Sequence, residues 1–153
     1  MGVDVEVECT VARPVAVVAA FAGDPGRAPE WYANITSVEW VTAPPLAVGS
    51  RMDFVARFLG RRLAYTYEVV ELEPGRRLVM RTADGPFPME TTYSWEPAGE
   101  GGTRMRLRNR GEPSGFSRMA APALERAMRR ATTKDLARLK ELLETRGEAT
   151  ATS

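Results

Sequence analysis

The chain has 153 residues, the size of one domain with one core; at that length folding hides roughly 68–70% of the unfolded surface, so stability requires neither disulfides nor a structural metal. Hydrophobic residues at 44% and charged residues at 27% exclude collagen, coiled coil and global disorder. With 21 basic and 20 acidic side chains the net charge is only +1, no field that would recruit nucleic acid or an anionic membrane.

Val3, Val5, Val7, Cys9 and Val11 alternate with Asp4, Glu6, Glu8 and Thr10, the period of two of a strand with one buried face. The same acidic residues predict no secretory leader, since a leader opens on basic residues. Pro14 presets a helix over Val15 to Ala22, ended by Gly23 and Asp24-Pro25-Gly26. That apolar run is too short to span a bilayer. A second helical turn, broken by Pro25 and Pro29, leads to Trp31 and Tyr32. From Ile35 to Gly111 turn chemistry at Pro44-Pro45, Gly60, Pro74-Gly75, Asp84-Gly85-Pro86 and Gly99-Glu100-Gly101-Gly102 separates strand-length segments. Six more strands are predicted near 35–42, 50–59, 62–73, 77–83, 87–96 and 103–111, antiparallel because their links are too short for parallel crossovers. The last long segment, Phe116 to Arg146, is helical and ends just before Gly147, with Pro122 either starting its regular part or kinking it. Residues 1–147 are expected to form the single domain and 148–153 a disordered tail.

The absence of histidine removes the usual general base, the usual activator of a nucleophilic serine or cysteine, and the commonest metal ligand. Histidine-dependent hydrolysis is therefore excluded, and neither a metal nor a cofactor is expected. The single cysteine, Cys9, cannot form an internal disulfide and reads as a small buried residue of a reducing compartment, which makes the cytoplasm the expected location.

One strand, two short helices, six meandering strands and a long terminal helix make an α+β protein in which only that helix is large enough to cover the sheet. A seven-stranded sheet curling around one helix cannot close everywhere, and the hollow it leaves is where a small molecule would bind.

This order of elements resembles the START and birch-pollen-allergen superfamily, also called SRPBCC, and within it the polyketide cyclase/dehydrase-like proteins. The likeness covers residues 3 to 146. It rests on the opening strand running into Pro14-Val15-Ala16-Val17-Val18-Ala19-Ala20-Phe21, on Trp31, and on Val48-Gly49-Ser50. Glu71-Leu72-Glu73-Pro74-Gly75-Arg76-Arg77-Leu78, Gly101-Gly102-Thr103 and Leu136-Ala137-Arg138-Leu139-Lys140-Glu141-Leu142-Leu143-Glu144 complete it. The resemblance implies a helix-grip fold, a seven-stranded antiparallel sheet curled around the C-terminal helix, and a START-like role toward apolar molecules. It carries no catalytic motif onto these positions.

With the apolar parity pointing inward, the candidate ligand-binding residues on the sheet are Met52, Phe54, Phe58, Tyr65, Tyr67, Met80, Met89, Thr91, Tyr93, Met105 and Asn109. Met119, Ala123, Ala127 and Met128 face them from the helix, and Trp31 joins the set from the connection before the second strand. Methionines suit a pocket that adapts to varied apolar ligands, and equally suit a filled core. The helix alanines leave room for a ligand or permit close packing. Tyr65, Tyr67 and Tyr93 are the candidate catalytic residues, because a phenol is the best acid available to a chain without histidine. Trp31, Tyr32 and Phe87 are placed to guard an entrance, and Trp31 equally suits a packing role because indole is large and usually buried. Asp135 falls near the apolar stripe of the helix, where an ionised group needs a partner or a raised pKa, and it is expected at the stripe's edge, paired with an arginine.

The function read from this is carriage or sequestration of a small hydrophobic ligand, such as a lipid, isoprenoid or polyketide, in an internal cavity. A polyketide aromatase/cyclase or dehydrase acting in the same cavity and a protein-interaction module are the alternatives. The expected partner is a small hydrophobic molecule, with no nucleic acid and no membrane insertion; a homodimer stays open.

Overall fold

The computed structural model describes residues 2–112 and 120–152, with side chains as far as Arg146. The alternation read in the sequence forms β1 (Val3–Val11), where Val3, Val5 and Val11 are buried and Asp4, Glu6 and Glu8 exposed. Pro14 caps α1 (Val15–Ala22), and the Gly23 amide closes it by bonding back to the Ala19 carbonyl at 2.8 Å. Asp24 Oδ1 then accepts the Gly26 amide at 3.0 Å, which sets a 3-10 turn over Pro25–Arg27 leading into α2 (Ala28–Trp31).

Six strands follow: β2 (Ile35–Trp40), β3 (Arg51–Phe58), β4 (Arg61–Glu73), β5 (Arg77–Asp84), β6 (Met89–Pro97) and β7 (Thr103–Gly111). All pair antiparallel in one sheet of order β1-β7-β6-β5-β4-β3-β2, and the helix-grip fold is completed by α3 (Ala121–Thr152). Leu59 and Gly60 make the two-residue β3–β4 turn with positive φ angles of 50° and 80°, as the twist of the flanking strands requires. Register shifts within the β4–β5 and β2–β3 pairings are the irregularities that bend a sheet, and this sheet curls around α3. Pro122 lies in the first turn of α3 and so starts it. The helix runs through Gly147 to Thr152, beyond the boundary read from the sequence. A single glycine costs a helix only about 1 kcal/mol, and Ala149 and Ala151 favour its continuation. Phe116 and Met119 lie outside the described residues.

The position of α3 is set by what the free edge of β1 lacks. That edge has no neighbouring strand, so its backbone groups need other partners. Glu125 accepts the Asp4 amide at 2.9 Å and Arg129 donates to the Glu6 carbonyl at 2.8 Å. Lys140 donates to the Thr10 carbonyl at 2.7 Å, and Glu144 accepts the Ala12 amide at 2.9 Å. The helix therefore lies along the strand in fixed register, and its apolar side faces the sheet.

The interior beneath it is divided. At the end covered by α1 and α2, Leu136, Leu139 and Leu143 of α3 pack with Val18, Phe21, Trp31, Met52, Met105 and Leu107 in a continuous core. At the other end a smaller cluster holds Val3, Leu63, Phe87 and Leu124. On the convex face the arginines of β7 form a ladder of exposed ion pairs, including Arg108–Asp4 and Arg110–Glu90 at 2.6 Å and Arg106–Glu8 at 3.0 Å. Water screens such pairs, so they order the surface more than they stabilise the fold.

Candidate functional site

Between the sheet and the N-terminal half of α3 lies a cavity of about 170 Å³. Its sheet wall carries Phe54, Phe58, Tyr65, Tyr67, Met80, Met89, Thr91, Tyr93 and Asn109, and Met128 reaches in from α3. These are ten of the residues that strand and helix periodicity marked. Strand pairing accounts for the wall: Phe54 sits opposite Tyr65, Met80 opposite Thr91, and Thr91 opposite Asn109, so alternate side chains meet on the concave face.

Three of the expected lining residues belong instead to the solid core. Met52 and Met105 have no exposed surface and Trp31 has 1%, because α1 and α2 close that end of the sheet over them. Ala123 and Ala127 do not line the cavity either. The residues of α3 that do are Leu124, Met128, Ala131, Thr132 and Asp135, a stripe at helical spacing, and Ala123 and Ala127 are turned 100° from Leu124 and Met128. Tyr32 and Phe87, read as guards of an entrance, both line the cavity, and Glu90 and Arg110 border it while paired to each other.

The polar groups of this apolar chamber are mostly bonded among themselves. Tyr32 and Tyr93 share a hydrogen bond between their hydroxyl oxygens at 2.7 Å. Thr91 donates to Asn109 Oδ1 at 2.8 Å, which uses its only hydrogen, so the 2.7 Å contact to Tyr67 is donated by the phenol. Thr91→Val, which keeps the shape and removes the middle of this chain, is expected to cost about 1–3 kcal/mol in urea unfolding, because Tyr67 and Asn109 each lose a partner. The Tyr65 ring stacks on Phe54 with centroids 5.4 Å apart, and its hydroxyl has no hydrogen bond among the described residues.

Asp135 departs most from expectation. It is buried, 4% exposed, and its bonded partner is the Ala33 amide, 3.1 Å from Oδ1, rather than an arginine. The turn after α2 brings Ala33 against the helix, a contact between residues 102 apart that no local pattern announces. Burial raises the Asp135 carboxyl to about 6, outweighing the Ala33 bond that favours its charged form. Burial likewise pushes Tyr67 up to about 12 and Tyr32, Tyr65 and Tyr93 above the ordinary phenol range. At neutral pH the four phenols are hydrogen-bond donors and weak acids, while the carboxyl can hold or release a proton. Cys9, pushed up to about 11 by burial on β1, is outside the cavity lining. Among the described residues no cluster of carboxylates and cysteine could hold a metal ion, and no helix is long and apolar enough to cross a membrane.

Residues 2–144 match the family model described as polyketide cyclase / dehydrase and lipid transport. No curated protein matches the sequence. Among solved structures, a START superfamily protein from Mycobacterium smegmatis is 14% identical with a TM-score of 0.79, covering 93% of this chain and 97% of that one. A protein from Thermus thermophilus is 23% identical with a TM-score of 0.78 over the same shares. The Zhui aromatase/cyclase from Streptomyces sp. R1128 is 18% identical with a TM-score of 0.75, covering 95% of this chain and 96% of its own. At such identities the likeness is one of fold.

Proposed function

The chain belongs to the polyketide cyclase / dehydrase and lipid transport family, and from that premise we propose that residues 1–147 form one ligand-binding domain, a cytoplasmic carrier of a small hydrophobic molecule held beneath α3. The observation that carries this reading is the unfilled chamber of about 170 Å³, walled by Phe54, Phe58, Leu63, Met80, Phe87 and Leu124. Close packing is the rule in protein interiors, and an apolar space of about 150 Å³ is enough to admit benzene. The size favours a ligand of one or two fused rings over a long acyl chain.

A second reading, that of an aromatase, cyclase or dehydrase, draws on Asp135 and the phenols. Tyr65, Tyr67 or Tyr93 would protonate or hydrogen-bond a carbonyl as it enolises, and a carboxyl near neutrality would accept the proton released from carbon. Both readings require the chamber to accept a guest.

Titration with naphthalene, followed by amide shifts in two-dimensional NMR, tests that requirement. Saturable shifts are expected around Phe54, Tyr93 and Leu124, and Ala131→Phe, which fills the space from α3, is expected to weaken binding at least about tenfold with the circular dichroism spectrum unchanged. Shifts that never saturate, or that survive in the filled variant, would refute it.

A further inference from the structure

Among the polar groups that line the cavity, Asp135 and the Tyr32–Tyr93 pair are incompletely bonded. Asp135 uses Oδ1 for the Ala33 amide, and no described residue bonds its other oxygen. The residue is 4% exposed and lines the cavity, so the cavity is where a partner for that oxygen is to be sought. Tyr32 from the end of α2 and Tyr93 from β6 are near enough for the Asp135 charge to act on both phenols and help hold them neutral, with Tyr65 of β4 and Thr132 of α3 lining the same space. No arginine or lysine among the described residues is paired with it. The two phenols share one hydrogen bond between two oxygens, so one of them donates and the other keeps a hydrogen with no partner in that pair.

The cavity lining therefore offers an acceptor and a donor, near enough for the carboxylate's charge to act on the phenols. A ketone or ether would meet the donor and leave the carboxyl unpaired. An ammonium group would satisfy the carboxyl but present nothing to the phenolic hydrogen, and a carboxylate would be repelled. A hydroxyl both donates and accepts.

Resting on the reading of the chamber as a ligand site, we infer that Asp135 with the Tyr32–Tyr93 pair forms a hydroxyl-recognition subsite, selecting a neutral ligand of one or two rings that carries an alcohol, phenol or enol group. Asp135 accepts the ligand's hydrogen bond, and the spare phenolic hydrogen is donated to the ligand's oxygen. The substitution Asp135→Asn reverses this preference, since its amide oxygen still accepts from Ala33 while its NH2 group replaces the free acceptor with a donor.

The experiment measures affinities of 2-naphthol, naphthalene and 1-tetralone for the parent chain and for Asp135→Asn at pH 7.5, by calorimetry or NMR titration. The parent is expected to favour 2-naphthol over naphthalene by about tenfold, as a hydrogen bond to a charged group provides. The variant is expected to lose that preference and to gain for 1-tetralone. For the parent, lowering the pH to 5 is expected to weaken 2-naphthol and leave naphthalene unchanged, because the bond is stronger to the ionised carboxyl. Equal affinity of the parent for 2-naphthol and naphthalene, or a preference that persists in Asp135→Asn, would overturn the subsite and leave the chamber as a general apolar site. Failure of all three probes to bind the parent would remove the ligand site itself.

Discussion

At pH 8, Asp135→Asn is expected to unfold with up to about 3 kcal/mol more free energy than the parent chain, and most of that gap is expected to close by pH 4. The carboxyl has a pKa of 3.8 in the open chain and about 6 when buried. Between those values the folded protein holds a proton that the unfolded chain has released. Unfolding therefore liberates a proton, and stability falls as pH rises through that window, then stays level above it. The parent carries the full penalty of a buried charge above pH 6, whereas Asn carries none and keeps the acceptor for the Ala33 amide. Asp4, Glu90 and Glu144 act in the opposite sense, since hydrogen bonds from Arg108, Arg81 and Lys140 hold their carboxyls below the ordinary range. Their stabilisation is present above the ordinary carboxyl range and is lost as acid protonates them, in parent and variant alike. The difference between urea-unfolding curves of the two proteins, measured from pH 4 to 8, thus isolates Asp135. A constant difference across that range would show that its proton is not bound more tightly in the folded state.

A protein that keeps an ionisable group where it lowers stability is consistent with a group whose use lies elsewhere, and the cavity supplies that use. Among the described residues the carboxylate has one bonded oxygen. A ligand that bonds the second oxygen offsets part of the burial penalty, so binding and proton release are linked: occupation by a hydroxyl lowers the carboxyl's pKa, and higher pH favours occupation.

How far this could be read in advance depended on whether the determining forces were local. The β1 alternation, the Pro14 start, and the glycine and proline turns from Gly60 to Gly102 act over a few residues, and all seven strands formed where those signals placed them. The sheet wall was legible for the same reason, because a period of two assigns Tyr65, Tyr67, Thr91 and Tyr93 to one face whatever the neighbouring strand. What was not legible depended on elements that meet across the fold. Met52 and Met105 lie on the same face as the cavity residues, yet α1 and α2 cover one half of the sheet and leave the other half under α3 alone. On α3 the face was legible only in part: Met128 lines the wall as read, whereas Ala123 and Ala127, one position away from Leu124 and Met128, do not. The burial of Asp135 required knowing that Ala33 crosses the helix there. The one available clue was a carboxylate within an apolar stripe, and a long arginine side chain could have reached the same position.

Trp31 shows how the solid half supports the open half, and its truncation should be the most costly of the changes considered. Its indole is 1% exposed, packs against Tyr32 with ring centroids 4.1 Å apart and planes tilted by 35°, and lies 6.1 Å from the Tyr93 ring. Trp31→Ala removes that packing and is expected to cost about 3–5 kcal/mol, the range for losing a large buried aromatic. The Nε1 hydrogen has no partner among the described residues, so part of what the indole contributes by packing is offset by burying an unpaired donor. Trp31→Phe gives up some contact area but removes that donor as well, and is expected to lose less than half of what Trp31→Ala loses. Guanidinium unfolding of the three proteins tests this, and equal losses for the two variants would mean that the indole nitrogen is bonded after all. Because Tyr32 rests on this ring, Trp31→Ala is also expected to lower the preference for 2-naphthol over naphthalene, whereas Trp31→Phe keeps it. A hydroxyl preference that survives in Trp31→Ala would show that Tyr32 holds its place through the Tyr93 bond alone.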